Sequence, residues 1–357
     1  MRVKLKDITK FSKGTQINGK NLIDDGAYSY LNGGINPSGK WNEFNVAENT
    51  VTISEGGNSS GYVNYMNEAF WCGAHCYYLY DGPKNSKYLY YALKSQQERL
   101  FRIRSGACMP NIKKSDLGNF IIEYEKDEVR QEEVVKVLEK CELLIEDYNK
   151  KLTLLDEAVR ARFVEVFGDP NYNPKGYKKD IIKDHIDLLS GYPFKSENYV
   201  DSGINICGGL VIMPQKIKWE ECVHWKSAIG YENYLLNNND IVMALDRPWI
   251  SEGFKIAKVD SKHLPALLIQ RTVRIRAIDM NQDYLYYCFI CGGFNKHCNV
   301  TGSLVPHISS KDIKSFEVML PPLELQNQFA SFVQEIDKSR LLSNHLLFLI
   351  KSISSNH

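Results

Sequence analysis

Residues 128–167, EVRQEEVVKVLEKCELLIEDYNKKLTLLDEAVRARFVEVF, carry one side-chain pattern from end to end. Val134, Cys141, Tyr148, Leu155 and Arg162 recur every seven residues, and Leu138, Ile145, Leu152, Val159 and Val166 fill the second heptad position. Only Arg162 breaks the seam. A helix over Glu128–Phe167 would run roughly 60 Å at about 1.5 Å per residue, too long to be buried within one compact domain, so it must protrude or bridge.

A second helical stretch opens at Pro321-Pro322, which suit a helix start, and continues through Phe329, Val333, Ile336 and Leu347 to Ile350, with Arg340 and Ser343 interrupting. Two such helices can pack antiparallel and bury each other's stripe. The expected packing residues are Val134, Leu138, Ile145, Tyr148, Leu152, Leu155 and Val159 on the first helix and Phe329, Val333, Ile336 and Leu347 on the second. Two unrelated surface helices are the bland alternative.

What lies outside the helices repeats. Tyr88-Leu89-Tyr90-Tyr91 returns as Tyr284-Leu285-Tyr286-Tyr287, 196 residues later. At that offset Gly106 falls on Gly302, Pro110 on Pro306, Ile112 on Ile308, Asp116 on Asp312 and Phe120 on Phe316. Nearer the start, Asp7–Gly14 (DITKFSKG) lies over Asp184–Gly191 (DHIDLLSG), 177 residues on, so the second half is longer by 19 residues, expected in its middle. Each half starts strand-like, turns at a glycine and ends in a long helix.

The chain therefore reads as α+β, with two tandem globular domains separated and followed by long helices that pair as an antiparallel coiled coil. The boundaries expected are 1–125 for the first domain, 126–168 for the first helix, 169–176 for a turn, 177–320 for the second domain and 321–357 for the second helix. With 43% hydrophobic and 24% charged residues, the composition is that of an ordinary globular protein. No apolar run approaches the roughly 20 residues of a membrane span, and nine cysteines without paired spacing suit free thiols, so a cytoplasmic protein without disulfides is expected.

Charge is uneven although the net is only +1. Between Lys84 and Lys114 eight basic residues face one acid, Glu98, which marks a candidate polyanion footprint; from Glu123 to Glu157 twelve acids face six bases.

Three further pieces are Arg162-Phe163 through Phe167-Gly168-Asp169-Pro170, Asn173-Pro174-Lys175-Gly176-Tyr177, and Leu320-Pro321-Pro322-Leu323-Glu324 with Gln326. With the tandem repeat and the long helices, they make the chain resemble the specificity subunits of type I restriction-modification systems, over nearly its whole length. The resemblance implies two target-recognition domains, each reading half of a split double-stranded DNA site, on helices that set the spacing and dock modification (methyltransferase) subunits. Restriction subunits, an ATP-driven nuclease, would join them. S-adenosylmethionine, ATP and magnesium would belong to those partners, and this chain would bind none of them, hold no metal and have no catalytic residue. The chain is short for the family, mainly in its first half.

The residues expected at DNA are Asn58, Ser59, Ser60, Arg99, Arg102, Arg104 and Lys113 in the first half, and Lys195, Arg247, Arg271, Lys296, Asn299 and Ser303 in the second. Cationic and small polar groups next to glycine turns suit phosphate and base-edge contacts. Arg99, Arg102 and Arg104 before Ser105-Gly106 have a polar counterpart in Lys296, His297 and Asn299 before Thr301-Gly302.

Other motifs weigh less. Asp169-Pro170-Asn171-Tyr172 superficially resembles a base-holding motif of amino-methyltransferases but lacks its second proline, and a helix-stop turn is the better reading. Gly56–Gly61 (GGNSSG) lacks the Gly-Lys-Ser/Thr ending of a nucleotide-binding loop. Cys288, Cys291 and Cys298 beside His297 are spaced as zinc ligands could be, but fall on Ala92, Ser95 and Arg102 in the first half, so buried thiols are expected, as for Cys72 and Cys76. Asp116 and Asp312 align as an enzyme's acids would, yet each sits at a helix start and reads as a cap. The rival readings are a specificity protein of another methyltransferase-linked defence system, a coiled-coil scaffold that binds proteins without touching DNA, and an enzyme with an unrecognised site.

Overall fold

The computed structural model describes residues 1–106, 108–298 and 307–356. The chain forms two compact units, residues 1–149 with 344–357, and residues 150–343.

Each unit is built on the same three sheets. In the first, an antiparallel four-stranded sheet runs in the order Lys10–Lys13, Cys76–Tyr80, Thr50–Ser54, Val63–Met66. A three-stranded sheet sets Tyr28–Leu31 between Gly39–Trp41 and Phe70–Cys72, parallel to the latter, and Arg2–Lys4 pairs with Ile121–Glu123. The second unit repeats this with Ile186–Ser190, Thr272–Ala277, Ile241–Ala244 and Ile256–Lys258; with Ile204–Cys207 between Val223–Trp225 and Ala266–Leu268; and with Lys179–Ile181 against Glu317–Met319.

Strand registers carry the two offsets seen in the sequence. Lys10 pairs with Tyr80 as Asp187 pairs with Arg276, 177 and 196 residues on. The glycines at the end of that segment explain its constancy: a Cβ on Gly14 would lie 1.8 Å from the Cys72 carbonyl oxygen, and one on Gly191 would lie 2.0 Å from that of Ile269. Only a residue without a side chain allows backbones to approach so closely.

The 19 extra residues are not one insertion in the middle, as the sequence led one to expect. The offset is 176 at Ser29 and Asn205, 184 at Trp41 and Trp225, 190 at Thr52 and Val242, 193 at Val63 and Ile256, and 196 from Phe70 and Ala266 onward. Surface connections accept added residues at little cost, whereas a strand must keep its register, so the length was absorbed between strands.

The central helix spans Glu128–Phe167 and the C-terminal helix Leu323–Asn356. All eleven expected packing residues are buried or half-buried. In the second unit Asp156 pairs with Arg340 and the Phe163 ring meets Phe329 at 5.5 Å, so the two helices run antiparallel there. The break at Arg162 also has a cause: a helix of 3.6 residues per turn drifts off a 3.5-residue seam, and by this point the buried stripe is Val159, Phe163 and Phe167.

Arg340, an interruption of the second seam by sequence, is an ion-pair partner. It bridges Asp156 and Asp337, and Asp337 shares Lys258 with Asp283. Burial alone would push the Lys258 ammonium down, but Asp283 and Asp337 outweigh it and hold the group above its ordinary value.

Phe163 is fully buried among rings, whereas its neighbour Val164 is exposed. Phe163→Ala should cost about 3–5 kcal/mol in urea unfolding, and Val164→Ala under about 0.5 kcal/mol. Equal losses would show that the stripe has been misplaced.

Candidate nucleic-acid interface

At one edge of the first unit, the end of Thr50–Ser54 meets the start of Cys76–Tyr80. The Glu55 amide donates to the His75 carbonyl (2.8 Å), Ile112 donates to Glu55 (2.9 Å) and Gly57 donates to Pro110 (2.9 Å). These bonds bring Glu55–Gly61, His75 and Arg104–Lys114 to one rim. A cleft there is lined by Lys13, Glu55, Tyr77, Asn111, Lys113 and Lys114. Lys13 Nζ lies 2.8 Å from one Glu55 oxygen and His75 Nδ1 3.4 Å from the other. The Tyr77 hydroxyl donates to the Ile112 carbonyl (3.1 Å), and burial with the nearby Glu55 charge pushes its pKa to about 12.

The expected residues fare differently here. Asn58 and Lys113 are exposed on this rim. Ser59 is half-buried and donates to the Gly33 carbonyl (2.6 Å). Ser60 does not belong to the surface: it is fully buried, and its hydroxyl donates to the Glu55 carbonyl (2.8 Å), which leaves nothing to offer a ligand. Arg104 acts as a strap, donating through Nε to Phe101 (2.7 Å) and through Nη1 to the Asn58 carbonyl (3.3 Å). Arg102 is exposed on the short helix Gln97–Arg102.

The basic run is largely laid on aromatic rings. Lys87 lies over Tyr65 (4.5 Å), Lys94 over Tyr62 (3.7 Å), Arg99 over Phe120 (5.2 Å), Arg104 over Phe101 (4.7 Å) and Lys114 over Phe11 (5.7 Å). Cations held over ring faces also pack the fold, so the run is a weaker footprint than its count implies.

The second unit has the same edge with different side chains. Leu245 donates to Arg271 (3.0 Å) and Ile308 to Leu245 (2.8 Å), as Glu55 and Ile112 do in the first. Asp246 stands where the first unit has Gly56, bridging His307 as Gly56 bridges Asn111. Its carboxylate meets His307 Nδ1 at 2.6 Å and Arg271 Nε at 3.7 Å. Arg247 follows it, exposed, and Lys255 donates to the Gly209 carbonyl. Burial, and then the Arg247 charge, push the Lys255 ammonium down.

Arg247 and Arg271 are thus brought together. Lys195 is exposed beside Glu197 (3.9 Å), and Lys296 is exposed near Asp169. Asn299 and Ser303 lie outside the described residues. His297 faces inward instead, its Nε2 at 3.0 Å from the Asp312 carbonyl and 3.1 Å from Ser315 Oγ. The sequence reading missed Lys13, Glu55, His75, Asp246 and His307, which come from separate segments and have no motif in common.

The remaining motifs are structural. Asp169 accepts from the Asn171 amide and from its side chain (both 2.8 Å), bonds that hold its carboxyl below the usual range, directly after Gly168 ends the helix at φ +82°. Cys72, Cys76, Cys207 and Cys288 are buried free thiols. Asp312 closes a capping box with Ser309; Asp116 does not cap, because Lys113 occupies the cap position that Ser309 fills in the second unit. Among the described residues no group of three or more His, Cys, Asp or Glu could hold a metal, and no helix is long and apolar enough to cross a membrane.

The family described as type I restriction modification DNA specificity domain matches residues 1–155 and again 178–351. Relatives include the specificity subunit of the EcoAI type I restriction enzyme of Escherichia coli, 31% identical over 188 residues, covering 50% of this chain and 31% of the relative. Another is the MjaVIII specificity subunit of Methanocaldococcus jannaschii, 26% identical over 268 residues, covering 70% and 63%. The chain spans less than two thirds of the length of these relatives. A crystal structure of a type I restriction-modification S subunit from Mycoplasma genitalium matches in fold, with TM-score 0.65 and 18% identity over 100% of this chain and 94% of that one.

The rim assignments can be checked without any ligand. Ser60→Ala removes a buried hydrogen bond, although the Glu55 carbonyl keeps the Ile112 amide, and should lower unfolding free energy by about 1 kcal/mol, whereas exposed Asn58→Ala should change it by under about 0.5 kcal/mol. A neutral Ser60→Ala would return that residue to the surface set.

Proposed function

Because the chain belongs to the type I restriction modification DNA specificity family, matched twice along most of its length, we propose that it is the DNA-reading subunit of a methylating and restricting complex. The observation that carries this reading is the duplication: two units with one strand order and one register present the same edge with different side chains. Two copies of a scaffold with unlike rims suit a target split into two unlike half-sites, and charged groups at each rim suit phosphate and base-edge contacts.

The helices supply the second part of the proposal. Leu143, Leu144 and Leu154 on the central helix and Leu341, Leu342, Phe348 and Leu349 on the C-terminal helix are exposed, which suits the docking of modification subunits. Those partners would bring S-adenosylmethionine, and restriction subunits ATP and magnesium, leaving this chain without a reaction of its own. Purified free of them, it should transfer no methyl group and cut no DNA.

The central helix continues from the first unit into the second, so its length should set the unread gap between half-sites. Its pairing with the C-terminal helix requires a heptad added to each, one between Leu152 and Leu155 and one between Leu341 and Asn344. Seven residues add roughly 10 Å, about three base pairs. Mapping methylated positions genome-wide should find both half-sites kept and the gap widened by about three base pairs. An active variant that keeps the original gap would refute the role of the helices in spacing.

A further inference from the structure

Among the described residues, two of the seven non-glycine residues with positive φ are arginines, and both flank Asp246: Arg247 at φ +45° and Arg271 at φ +67°. A side chain is strained in this left-handed region. Arg247 is doubly so, since Pro248 follows it and a residue before proline is pushed toward extended backbone.

The duplication shows what the fold itself requires there. One residue after the Asn111 bridge the first unit has Gly57 at φ +77°, and one residue after the equivalent His307 bridge the second has Arg247. The turn needs a left-handed residue, and glycine meets that need without strain. Arginine in its place is tolerated by the backbone and explained by its side chain.

That side chain is exposed, as is Arg271. Asp246 faces Arg271 at Nε, 3.7 Å away, on the flank of the guanidinium, and His307 holds the other Asp246 oxygen at 2.6 Å. The ion pair sets Asp246 on the Nε side of the Arg271 guanidinium. A phosphate contact needs only a positive charge on a flexible stem, which a lysine at an unstrained position would supply. An oriented fork matches a base edge with two acceptors side by side, the O6 and N7 of guanine in the major groove.

We propose that Arg247 and Arg271 are the guanine-reading residues of the second unit, with Asp246 as the positioning residue for Arg271. The first unit, with Gly57 and His75 at the corresponding places, reads its half-site by other means. This rests on the DNA-reading function proposed above and adds the base and the residues.

The full chain, alone and with its modification subunit, can be used to select duplexes from a random-sequence library at two salt concentrations. The wild type should yield a bipartite motif. Arg247→Gly and Arg271→Gln should each flatten a guanine position in the same half of it, with discrimination there falling roughly 5- to 150-fold, while the other half and the salt dependence of binding persist. Arg247→Gly should melt no lower than the wild type, since it installs the first unit's own residue. Asp246→Asn should weaken the guanine position assigned to Arg271 and spare the other. A wild-type motif unchanged in the arginine variants overturns the inference and leaves the DNA-reading function standing. Uniform weakening on all sequences with a shallower salt dependence also overturns it, reassigning both arginines to phosphates. Failure of the wild type to select any motif in either form refutes the DNA-reading function, and the inference with it.

Discussion

Four rings hold the second unit to the long helices. Phe163 and Phe167 of the central helix, Phe329 of the C-terminal helix and Tyr284 of Gln282–Cys291 meet at centroid distances of 4.7–5.8 Å. Edge and stacked contacts of this kind add to the burial of large apolar surfaces, and the Tyr284 hydroxyl escapes an unpaired state by donating to the Met319 carbonyl (2.8 Å). The sheet Lys179–Ile181 with Glu317–Met319, the helix after the main sheet and both long helices are thereby pinned at one point.

The first unit holds its part of the central helix by different chemistry. Tyr91, the repeat-mate of Tyr287, donates to Glu142 (2.8 Å), and Lys87 lies 3.6 Å from Glu139. Tyr88, the mate of Tyr284, turns to Tyr124 instead and accepts from the Glu125 amide (3.0 Å). Partly exposed polar pairs contribute roughly 0–1 kcal/mol each, far less than a buried ring cluster, so the same tyrosine motif gives a firm seat in one unit and a lighter one in the other.

The difference explains what was legible in the sequence. The helix and the duplication were, because a heptad seam, the glycines at 14 and 191, and the Asn85 and Asn281 caps of the tyrosine helices are local demands that allow few residue types. The placement of the added residues was not, since connections between strands impose no such demand. The rim was read only in part. Arg247 and Arg271 stood out as cations near turns, but Glu55, Lys13 and Asp246 become neighbours of their partners only through strand pairing across long separations. Ser60 misled because a small polar residue between glycines looks the same in sequence whether its hydroxyl faces water or a buried carbonyl. The basic run misled for a related reason, since composition counts a cation without showing the ring beneath it.

The two rims then follow from one backbone solution filled twice. In the first unit the acid is Glu55, the last residue before the bridged glycine, and it holds Lys13 from the strand beyond Cys76–Tyr80. In the second unit that position is Leu245, buried in the core, and the acid has moved one residue on to Asp246. The one-residue move takes the carboxylate from Lys13 and His75, both of which Glu55 meets, to Arg271, the counterpart of His75, and His307. With no acid at the position of Glu55, a cation in place of Lys13 is no longer needed, and the equivalent of Lys13 in the strand alignment is Ser190. A single shift along one strand therefore changes which side chains the acid meets, while the backbone bonds that Glu55 makes with His75 and Ile112 are kept by Leu245 with Arg271 and Ile308. Scaffold and rim are separable in this fold because the bonds that build the edge run through backbone atoms, leaving the side chains of that edge free to differ.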